Sequence, residues 1–415
     1  MSMIRSWVDS ANDPEGDFPL NNLALGVFDP GDGPRCGVAI GDRIVDAAAL
    51  EANGLLDLGP RLCDRPCWNA LMAAGPKAWD AFRARMTALL REGAPEQARV
   101  APHLHPMGSA TLHLPFTVAE FTDFYAGRHH ATNVGTMFRG AENALPANWL
   151  HIPIGYNGRA SSVVVSGTPV RRPWGQVKAP DDSAPRFAPS ARFDFELELG
   201  AIVGQPSTGP VSVAQAQDMI FGYVLLNDWS ARDIQAWEYQ PLGPFQSKAT
   251  ATTISPWIVM RAALDPFRAA PPDREVPLLP HLSDAGRDFH DITLAVTLTP
   301  EHGTPETIAR TNTRELYYSP AQQLAHHTTS GCPMRVGDLI GSGTISGPTP
   351  DSRGSMLELS WGGQTPIDLN GAPRAFLENG DTVTLSGAAI GEGYRIGFGP
   401  CGGTILPARQ NPYAP

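Results

Sequence analysis

The sequence contains no long apolar run and no apolar leader. Nowhere do about eighteen apolar residues follow one another, so no membrane-spanning helix is expected. The N-terminal stretch MSMIRSWVDSANDPEGDFPL is acidic and has no apolar core, which is not typical of a secretory signal. The simplest expectation is a cytoplasmic protein.

Positive charge is also in short supply. Asp and Glu number 42 against 31 Lys and Arg, which gives a formal net charge of -11. Binding to nucleic acid requires a basic footprint, and binding to an anionic membrane requires a block of Lys and Arg. The chain has neither, so neither a nucleic acid nor a membrane is expected as its partner.

Cysteine is scarce and scattered, at positions 36, 63, 67, 332 and 401. An odd number without regular spacing favours reduced thiols over a disulfide framework. Cys63 and Cys67 lack a second pair that would complete a zinc site. We therefore interpret Cys63 and Cys67 as small buried side chains.

The residues that are present in quantity predict a mostly β chain. With 415 residues, of which 42% are hydrophobic, two or three domains are expected. A β-module with the turn DPGDG covers residues 24–50, and KAWDAFRARMTALLREG has helical apolar spacing. Strand-like runs such as FELELGAIVG dominate after residue 118. We expect an N-terminal domain over residues 1–118 and a larger domain over residues 119–415.

The stretch 123–140, DFYAGRHHATNVGTMFRG, concentrates polar chemistry. The candidates are Asp123 as a metal ligand, Tyr125 and Arg139 as anion-binding groups, and His129 or His130 as a proton carrier. These are the parts of a metal-assisted hydrolytic site. A solvated loop could have the same composition, and residue types alone leave both interpretations open.

The segment DFELEL places three carboxylates in strict alternation. Because side chains two residues apart share one face of a strand, Asp194, Glu196 and Glu198 are expected to point the same way. They would repel one another unless exposed or neutralised. An edge strand with a wet face and an oxygen-ligand site for calcium or magnesium fit this pattern equally well.

A polar stripe is expected in NDWSARDIQAWEYQ. Asp228 would end a strand and cap the following helix. Arg232, Gln235 and Tyr239 would then lie with it along one helix face. An amphipathic helix whose polar face meets water would give the same pattern, so this assignment stays open as well.

Three further polar residues have ordinary structural explanations. Lys248 lies in the loop-like GPFQSKATATTISPW, where a lysine is usually solvated. Thr344 lies among the glycines of GSGTISG, which suit either a ligand or a tight turn. Glu358 lies in MLELSW, which has the alternation of a strand and would expose a lone glutamate.

Taken together, these residues resemble the fumarylacetoacetate hydrolase family over nearly the whole chain. The resemblance is carried by DFYAGRHHATNVGTMFRG, ENALPANWLHIPIGYNGRASSVVVSGTPVRRPWGQ, FELELG, FGYVLLNDWSARDIQAWEYQPLGPFQSKATATTISPW, SGTISG, GSMLELSWGG and GEGYRIGFGPCGG. It implies a mostly β (α+β) chain, with an N-terminal SH3-like β-barrel and a C-terminal mixed β-sandwich, or β-roll, that carries the active site. It also implies a cytosolic homodimer.

The resemblance also implies a role for each candidate residue. The metal carboxylates, usually with calcium or magnesium, fall on Asp123, Glu196, Glu198 and Asp228. The general base falls on His130 and the acid that orients it on Glu358. Transition-state donors fall on Arg232, Gln235 and Lys248, and substrate contacts on Tyr125, Arg139, Tyr156, Gln235, Tyr239 and Thr344. A second, structural magnesium is implied near Asp228, Lys248 and Thr252.

The chain departs from the family pattern at two places. His129 stands where the family often has glutamine, which puts a second titrating ring beside the base. The turn after Lys248 is Ala-Thr-Ala-Thr, where close animal enzymes commonly have Ser-Phe-Gly-Thr. The second departure weakens the expectation of the structural magnesium.

The implied reaction is hydrolysis of the small molecule 4-fumarylacetoacetate, a β-diketone, to fumarate and acetoacetate at the end of tyrosine and phenylalanine catabolism. Within the same superfamily, hydrolysis of an acylpyruvate or decarboxylation of a related oxo-acid is the alternative. A non-catalytic metal-binding protein on the same fold is the alternative of another class.

Overall fold

The computed structural model describes residues 2–283, 286, 288–411 and 413. Among these residues β-strands predominate over helices, as expected for a mostly β chain. The α-helices are Ala47–Ala52, Asn69–Ala74, Pro76–Leu90, Gln97–Val100, Arg128–Arg139, Val213–Met219, Arg232–Glu238, Arg261–Leu264, Pro320–Thr328 and Met356–Leu359. Among the described residues, no helix has the combination of length and apolar character that is needed to cross a membrane.

An antiparallel five-stranded sheet forms the N-terminal part. Its strands lie in the order Leu104–Pro106, Arg43–Asp46, Arg35–Ile40, Leu25–Asp29 and Thr111–His113. The predicted hairpin turn is confirmed, because the Asp29 carboxylate accepts hydrogen bonds from the backbone N–H groups of Gly31 and Gly33 at 2.7 and 2.9 Å. Both glycines have positive φ, which such a turn requires.

The helix Pro76–Leu90 joins the N-terminal sheet to the rest of the molecule. It begins with proline at its first position, where the missing N–H costs nothing. Its apolar stripe is buried as predicted and consists of Trp79, Phe82, Met86, Leu89 and Leu90. Trp79 meets Phe221 of the central sheet edge-on, with ring centroids 5.0 Å apart. The N-terminal part and the larger part therefore share apolar packing.

The central sheet has eight strands and mixed direction. Seven lie in the order Gly155–Asn157, Phe121–Phe124, Leu339–Gly341, Leu197–Val203, Ile220–Asp228, Thr252–Ile254 and Val163–Val165, and Val259–Met260 pairs with Ile220–Asp228. Antiparallel pairs predominate, and two pairs are parallel. Strands that are far apart in the sequence thus become neighbours in the sheet.

A second mixed sheet packs against the central one. Its strands are Glu306–Asn312, Thr293–Thr299, Thr382–Gly391, Cys401–Leu406 and Val170–Arg171, with Tyr394–Gly397 paired to Thr382–Gly391. The two sheets approach closely at Gly387, where a Cβ would lie 2.9 Å from Cδ2 of Leu225. Two packed mixed sheets agree with the expected sandwich.

Short strand pairs complete the β-structure. They are Trp174–Val177 with Arg186–Pro189, Phe193–Asp194 with Ser230–Ala231, Arg268–Ala269 with Phe289–His290, and Ile367–Leu369 with Ala372–Arg374. The pair Phe193–Asp194 with Ser230–Ala231 links the start of the acidic segment to the start of the helix Arg232–Glu238. This link determines how the site described next is assembled.

Candidate active site

Four buried carboxylates meet beside inner strands of the central sheet. They belong to Asp123, Glu196, Glu198 and Asp228, and each offers an oxygen that lies within 4.8 Å of the others. Three come from strands of the sheet, while Glu196 lies just before the strand Leu197–Val203. The sequence segments that carry these residues are thus brought together by strand pairing.

Glycines allow these carboxylates to converge. Gly341 pairs with Asp123 on one side and with Gly200 on the other. A Cβ at Gly341 would lie 2.5 Å from Asp123 Oδ1 and 3.1 Å from Glu198 Oε2. The backbone N–H of Gly343 donates to Glu198 Oε2 at 3.0 Å. A side chain at position 341 would therefore push the acidic groups apart.

Two carboxylate oxygens in this cluster are left without a donor. Among the described residues, none donates a hydrogen bond to the buried atoms Asp123 Oδ1 and Glu198 Oε1. Burial, together with the neighbouring carboxylates, raises the pKa of Asp123 and of Glu198 well above the usual range. Hard divalent cations prefer oxygen ligands of this kind, so the donor set fits such an ion.

The rest of the cluster is neutralised by two buried cations. Lys248 Nζ lies 2.6 Å from Glu196 Oε2 and 2.8 Å from Asp228 Oδ2. Arg232 Nη1 lies 2.6 Å from Glu196 Oε1. Burial alone would raise the pKa of Glu196, but the two cations hold it below its ordinary value. Burial opposes the charge on Lys248, yet Asp228 and Glu196 raise its pKa, so the amine stays protonated.

Arg232 is held in place by Asp194. The Arg232 Nε atom donates to Asp194 Oδ2 at 2.8 Å, and Arg232 Nη1 donates to Gln235 Oε1 at 3.1 Å. Asp194 also accepts the backbone N–H groups of Met356 and Leu357 at 2.7 and 3.0 Å. The carboxylate of Asp194 therefore joins the arginine to the segment that carries Glu358.

A histidine–carboxylate pair lies beside the acidic cluster. His130, on the helix Arg128–Arg139, has its Nδ1 2.6 Å from Glu358 Oε2 and its Nε2 3.9 Å from Glu196 Oε1. Glu358 also accepts hydrogen bonds from Asn133, Ser346 and Ser355, at 2.9, 2.9 and 2.8 Å.

The environment of Glu358 favours the ionised form of this carboxylate. Burial would raise its pKa, but the charge of His130 and the surrounding donors hold the pKa below its ordinary value. An ionised Glu358 accepts a hydrogen from Nδ1 of His130, which leaves Nε2 able to accept a proton. The pair therefore has the arrangement of a base with its orienting acid.

A cavity of about 460 Å³ opens onto these groups. Its walls contain all six residues expected to contact a substrate, which are Tyr125, Arg139, Tyr156, Gln235, Tyr239 and Thr344. Asp123, His130, Glu196, Arg232 and Lys248 line it as well. A larger cavity of about 820 Å³ lies on another face of the helix Arg232–Glu238, but none of the clustered carboxylates lines it. The chemistry of the side chains singles out the smaller cavity.

Some of the residues expected to contact a substrate already have partners within the protein, whereas Thr344 has none among the described residues. Tyr156 OH donates to Asp228 Oδ2 at 2.9 Å, and the ring of Tyr125 lies edge-on to His130 with centroids 5.5 Å apart. Arg139 donates to the carbonyls of residues 143 and 144 at 3.1 and 2.6 Å. The buried Thr344 Oγ1 has no hydrogen-bond partner among the described residues, so it is available to a ligand.

The surroundings of the expected second metal are simpler. Thr252 Oγ1 lies 3.5 Å from Asp228 Oδ1. Lys248 is the other residue implied there, and its protonated amine has no lone pair for a cation. While it is charged, its side chain can contribute only as a hydrogen-bond donor.

The local structure differs from three expectations. Asp228 does not cap a helix: it is the last residue of a strand, and the helix begins at Arg232 after Ala231. Glu358 lies in the short helix Met356–Leu359 rather than in a strand, and it is buried. Lys248 is buried rather than solvated, because Glu196 and Asp228 provide its counter-charges.

Sequence reasoning missed several supporting residues, namely Asp194 as the partner of Arg232, and Asn133, Ser346 and Ser355 as partners of Glu358. Two of them left a signal. Asn133 follows His130 by three positions and so shares its helix face. Ser355 and Glu358 have the spacing of a helix start, and Ser355 Oγ accepts the N–H of Glu358.

Comparisons with known proteins show which family this chain resembles along its length. The family model described as fumarylacetoacetate (FAA) hydrolase C-terminal matches residues 120–404, and the model described as fumarylacetoacetase N-terminal matches residues 21–115. The fumarylacetoacetase of Dictyostelium discoideum is 46% identical over 98% of this chain and 99% of its own length. That of Homo sapiens is 47% identical over 97% of this chain and 99% of its own length.

Solved structures support the fold. The fumarylacetoacetate hydrolase of Exiguobacterium antarcticum superposes with a TM-score of 0.53 at 15% identity, over 93% of this chain and 99% of that one. A maleylpyruvate hydrolase from Sphingobium sp. SYK-6 gives a TM-score of 0.52 at 17% identity, over 93% of this chain and 100% of that one. From the extent of the two model matches and the identity to full-length relatives, this chain belongs to the fumarylacetoacetate hydrolase family.

Proposed function

We propose that this protein hydrolyses the carbon–carbon bond of 4-fumarylacetoacetate to give fumarate and acetoacetate, the last step of tyrosine and phenylalanine catabolism. The observation that carries the proposal is the hydrogen-bonded pair of His130 and Glu358 directly beside the buried carboxylate cluster. The near-full-length identity to curated fumarylacetoacetases supports this substrate over other β-diketones.

The chemistry requires a stabilised carbanion. Water adds to the carbonyl on the fumaryl side, the bond to the neighbouring carbon breaks, and the electron pair of that bond is delocalised as the enolate of acetoacetate. A calcium or magnesium ion held by Asp123, Glu196, Glu198 and Asp228 would supply Lewis-acid stabilisation for this enolate. All remaining tasks fall to groups of the chain itself.

His130 is the proposed general base. Its Nε2 removes a proton from the attacking water, while Glu358 holds Nδ1 and stabilises the imidazolium that forms. The imidazolium then returns the proton to the departing carbon, so the reaction is balanced by one water molecule. The hydrogen bonds from Asn133, Ser346 and Ser355 keep Glu358 in position for this role.

Arg232, Gln235 and Lys248 are the proposed donors to the tetrahedral oxyanion. They lie along one wall of the cavity, and Arg232 and Lys248 are buried with ionic partners that fix their positions. Fixed donors require little reorganisation when negative charge develops on the attacked oxygen. We propose that Tyr125 and Arg139 bind the substrate carboxylates and that Tyr156, Tyr239 and Thr344 complete the binding site.

Other expectations from the family stay proposals with tests of their own. A structural magnesium near Asp228, Lys248 and Thr252 would raise the metal content of dialysed protein to two equivalents per chain.

Sedimentation would test the homodimer, and limited proteolysis would test the domain boundary near residue 118. Cell fractionation would test the cytoplasmic location.

The direct test is to incubate the purified protein with fumarylacetoacetate and a divalent cation. We expect loss of the ultraviolet absorbance of the substrate, with fumarate and acetoacetate formed in equal amounts. A panel of acylpyruvates and related oxo-acids separates the nearest alternative, since higher kcat/KM for one of these would reverse the assignment. Inertness toward every β-diketone with metal present would favour a non-catalytic metal-binding protein.

A further inference from the structure

We propose that Glu238 is a positioning residue that fixes Lys248 relative to Arg232 and Gln235; this inference rests on the proposed function. Glu238 is the last residue of the helix Arg232–Glu238, which carries Arg232 and Gln235. Its carboxylate does not line the cavity of about 460 Å³ but lies on the wall of the larger cavity. It therefore acts through other residues.

The contact that carries the inference is a set of three hydrogen bonds. Glu238 Oε1 accepts the backbone N–H groups of Phe245 and Ser247, both at 2.8 Å, and Glu238 Oε2 accepts that of Gln246 at 3.1 Å. These N–H groups open the single 3₁₀ turn Gln246–Lys248. Because the first N–H groups of a helical turn have no partner within it, the carboxylate caps the turn from a separate helix.

Within the segment between Glu238 and the turn, the N–H of Gly243 donates to the carbonyl of Tyr239 at 2.6 Å, but the apolar side chains are largely exposed. Residues 239–245 read YQPLGPF, and among them Leu242 is 94% exposed and Phe245 is 72% exposed. Buried apolar area stabilises an ordered loop, and these side chains provide almost none. We infer that the carboxylate of Glu238 defines where the turn begins.

The consequence for Lys248 follows from the length of the turn. Lys248 is the third residue of the turn, and its Nζ must reach between Glu196 and Asp228 at 2.6 and 2.8 Å. Arg232 reaches the same Glu196 from the other end of the helix. Glu238 thus joins the two cationic donors into one rigid unit, which matters because a misplacement of about 1 Å can cost roughly a hundredfold in rate.

The experiment compares Glu238→Ala, Glu238→Gln and the matched control Glu51→Ala. Glu51 likewise accepts backbone N–H groups of a loop, those of Leu62 and Cys63 at 2.6 and 3.2 Å, but in the N-terminal part. We expect Glu238→Ala to lower kcat and kcat/KM together by about tenfold to a hundredfold. Glu238→Gln keeps one acceptor oxygen and should recover most of the loss, whereas Glu51→Ala should keep wild-type kinetics.

The same substitution in a Lys248→Met background separates positioning from a general structural role. If Glu238 acts through Lys248, Glu238→Ala should change kcat by less than about twofold once Lys248 is gone. Equal losses in both backgrounds, a rise in KM at unchanged kcat, or unchanged kinetics of Glu238→Ala would each overturn the proposal.

Amide hydrogen exchange distinguishes failure of this inference from failure of the proposed function. A wild-type protein that is inert toward fumarylacetoacetate sinks the proposed function alone. In that case the exchange rates of peptides spanning residues 245–248 test whether Glu238 holds the turn. Exchange at least about tenfold faster in Glu238→Ala than in wild type and Glu51→Ala supports the positioning contact, and unchanged exchange overturns it.

Discussion

Glu196 and Glu198 lie two residues apart in one extended segment, and both are buried, yet their surroundings have opposite effects. Glu196 contacts Arg232 and Lys248, which hold its pKa below the ordinary value despite burial. Glu198 has only the N–H of Gly343 as a described donor, and burial beside Asp123 raises its pKa. We call the surroundings of Glu196 the paired side and those of Glu198 and Asp123 the open side.

The contrast between Glu196 and Glu198 shows which carboxylates need a counter-ion that the chain does not supply. On the paired side the protein supplies its own cations, so the buried Glu196 remains ionised without a metal. On the open side buried charge has no counter-ion, which is costly unless a cation is bound or the group is protonated. One cluster thus combines a preorganised half, which orders the donors, with a half whose oxygen donors fit a divalent ion.

The largest effect is expected from removing the base that lies next to the paired side. His130→Ala should lower kcat by roughly a hundredfold to ten-thousandfold, because His130 is the only histidine among the described residues that line the cavity. Steady-state kinetics on fumarylacetoacetate measures the loss. The matched control is His129→Ala, since His129 faces Glu315 at 3.4 Å and is partly exposed. Near-native activity of His130→Ala would rule out the proposed base.

A nearly equal effect is expected when the paired side loses one of its two cations. Lys248→Met keeps the length of the side chain but removes the ammonium between Glu196 and Asp228. We expect kcat to fall by roughly a hundredfold to a thousandfold, as for loss of an oxyanion donor. Lys178→Met, at a half-buried lysine above the ring of Trp237 and away from the carboxylate cluster, serves as the control. Equal kinetics for both variants would refute the role of Lys248.

Substitution of the two glutamates themselves is expected to have a smaller effect. The Tm should change in opposite directions for the two variants. In protein treated with chelator, Glu198→Gln removes a carboxyl group whose ionisation is opposed by burial and by the neighbouring carboxylates, and it should raise the Tm by roughly 1 to 3 °C. Glu196→Gln removes the partner of two cations and should lower the Tm. Thermal unfolding of both variants measures the contrast. Shifts of the same sign would show that the two sides do not differ as described.

The smallest expected effect is a pH dependence of stability that arises from Glu358, the partner of His130. The folded pKa of Glu358 lies below its ordinary value of 4.5, so its ionised form stabilises the fold above that pH. This stabilisation is lost as the pH falls from 4.5 through the lower folded value. The Tm difference between wild type and Glu358→Gln should therefore be largest near pH 7 and shrink in acid. A constant difference would contradict the assignment of an ionised Glu358.

Local patterns in the sequence predicted the elements that local physics controls. The stripe from Trp79 to Leu90 predicts its helix because the large apolar residues fall on one face. The turn at Asp29 is fixed by two glycines at positive φ. Strand alternation predicts that Asp194, Glu196 and Glu198 point the same way. Glu196 and Glu198 do reach the cluster, whereas Asp194 pairs with Arg232 instead.

Other features depend on contacts that no local pattern contains. The sequence around Lys248 predicts a solvated loop lysine, whereas the side chain is buried. Its partner Glu196 is 52 residues away in the sequence, so no local pattern contains this contact. The strand reading of MLELSW failed because alternation over a few residues also suits one helical turn, and the cap at Ser355 decides for the helix. Asp228 was misread as a cap because its side chain is used by Lys248 and Tyr156 instead. The family resemblance, rather than the pattern, related these residues to one site.

The central claim is that the open side holds a divalent cation that the proposed reaction requires. It is tested most directly by stripping the purified protein with a chelator, confirming metal loss by elemental analysis, and following fumarylacetoacetate absorbance before and after add-back of single metals. We predict that activity disappears with the metal and returns with calcium or magnesium. Full activity in the metal-free protein would contradict the account.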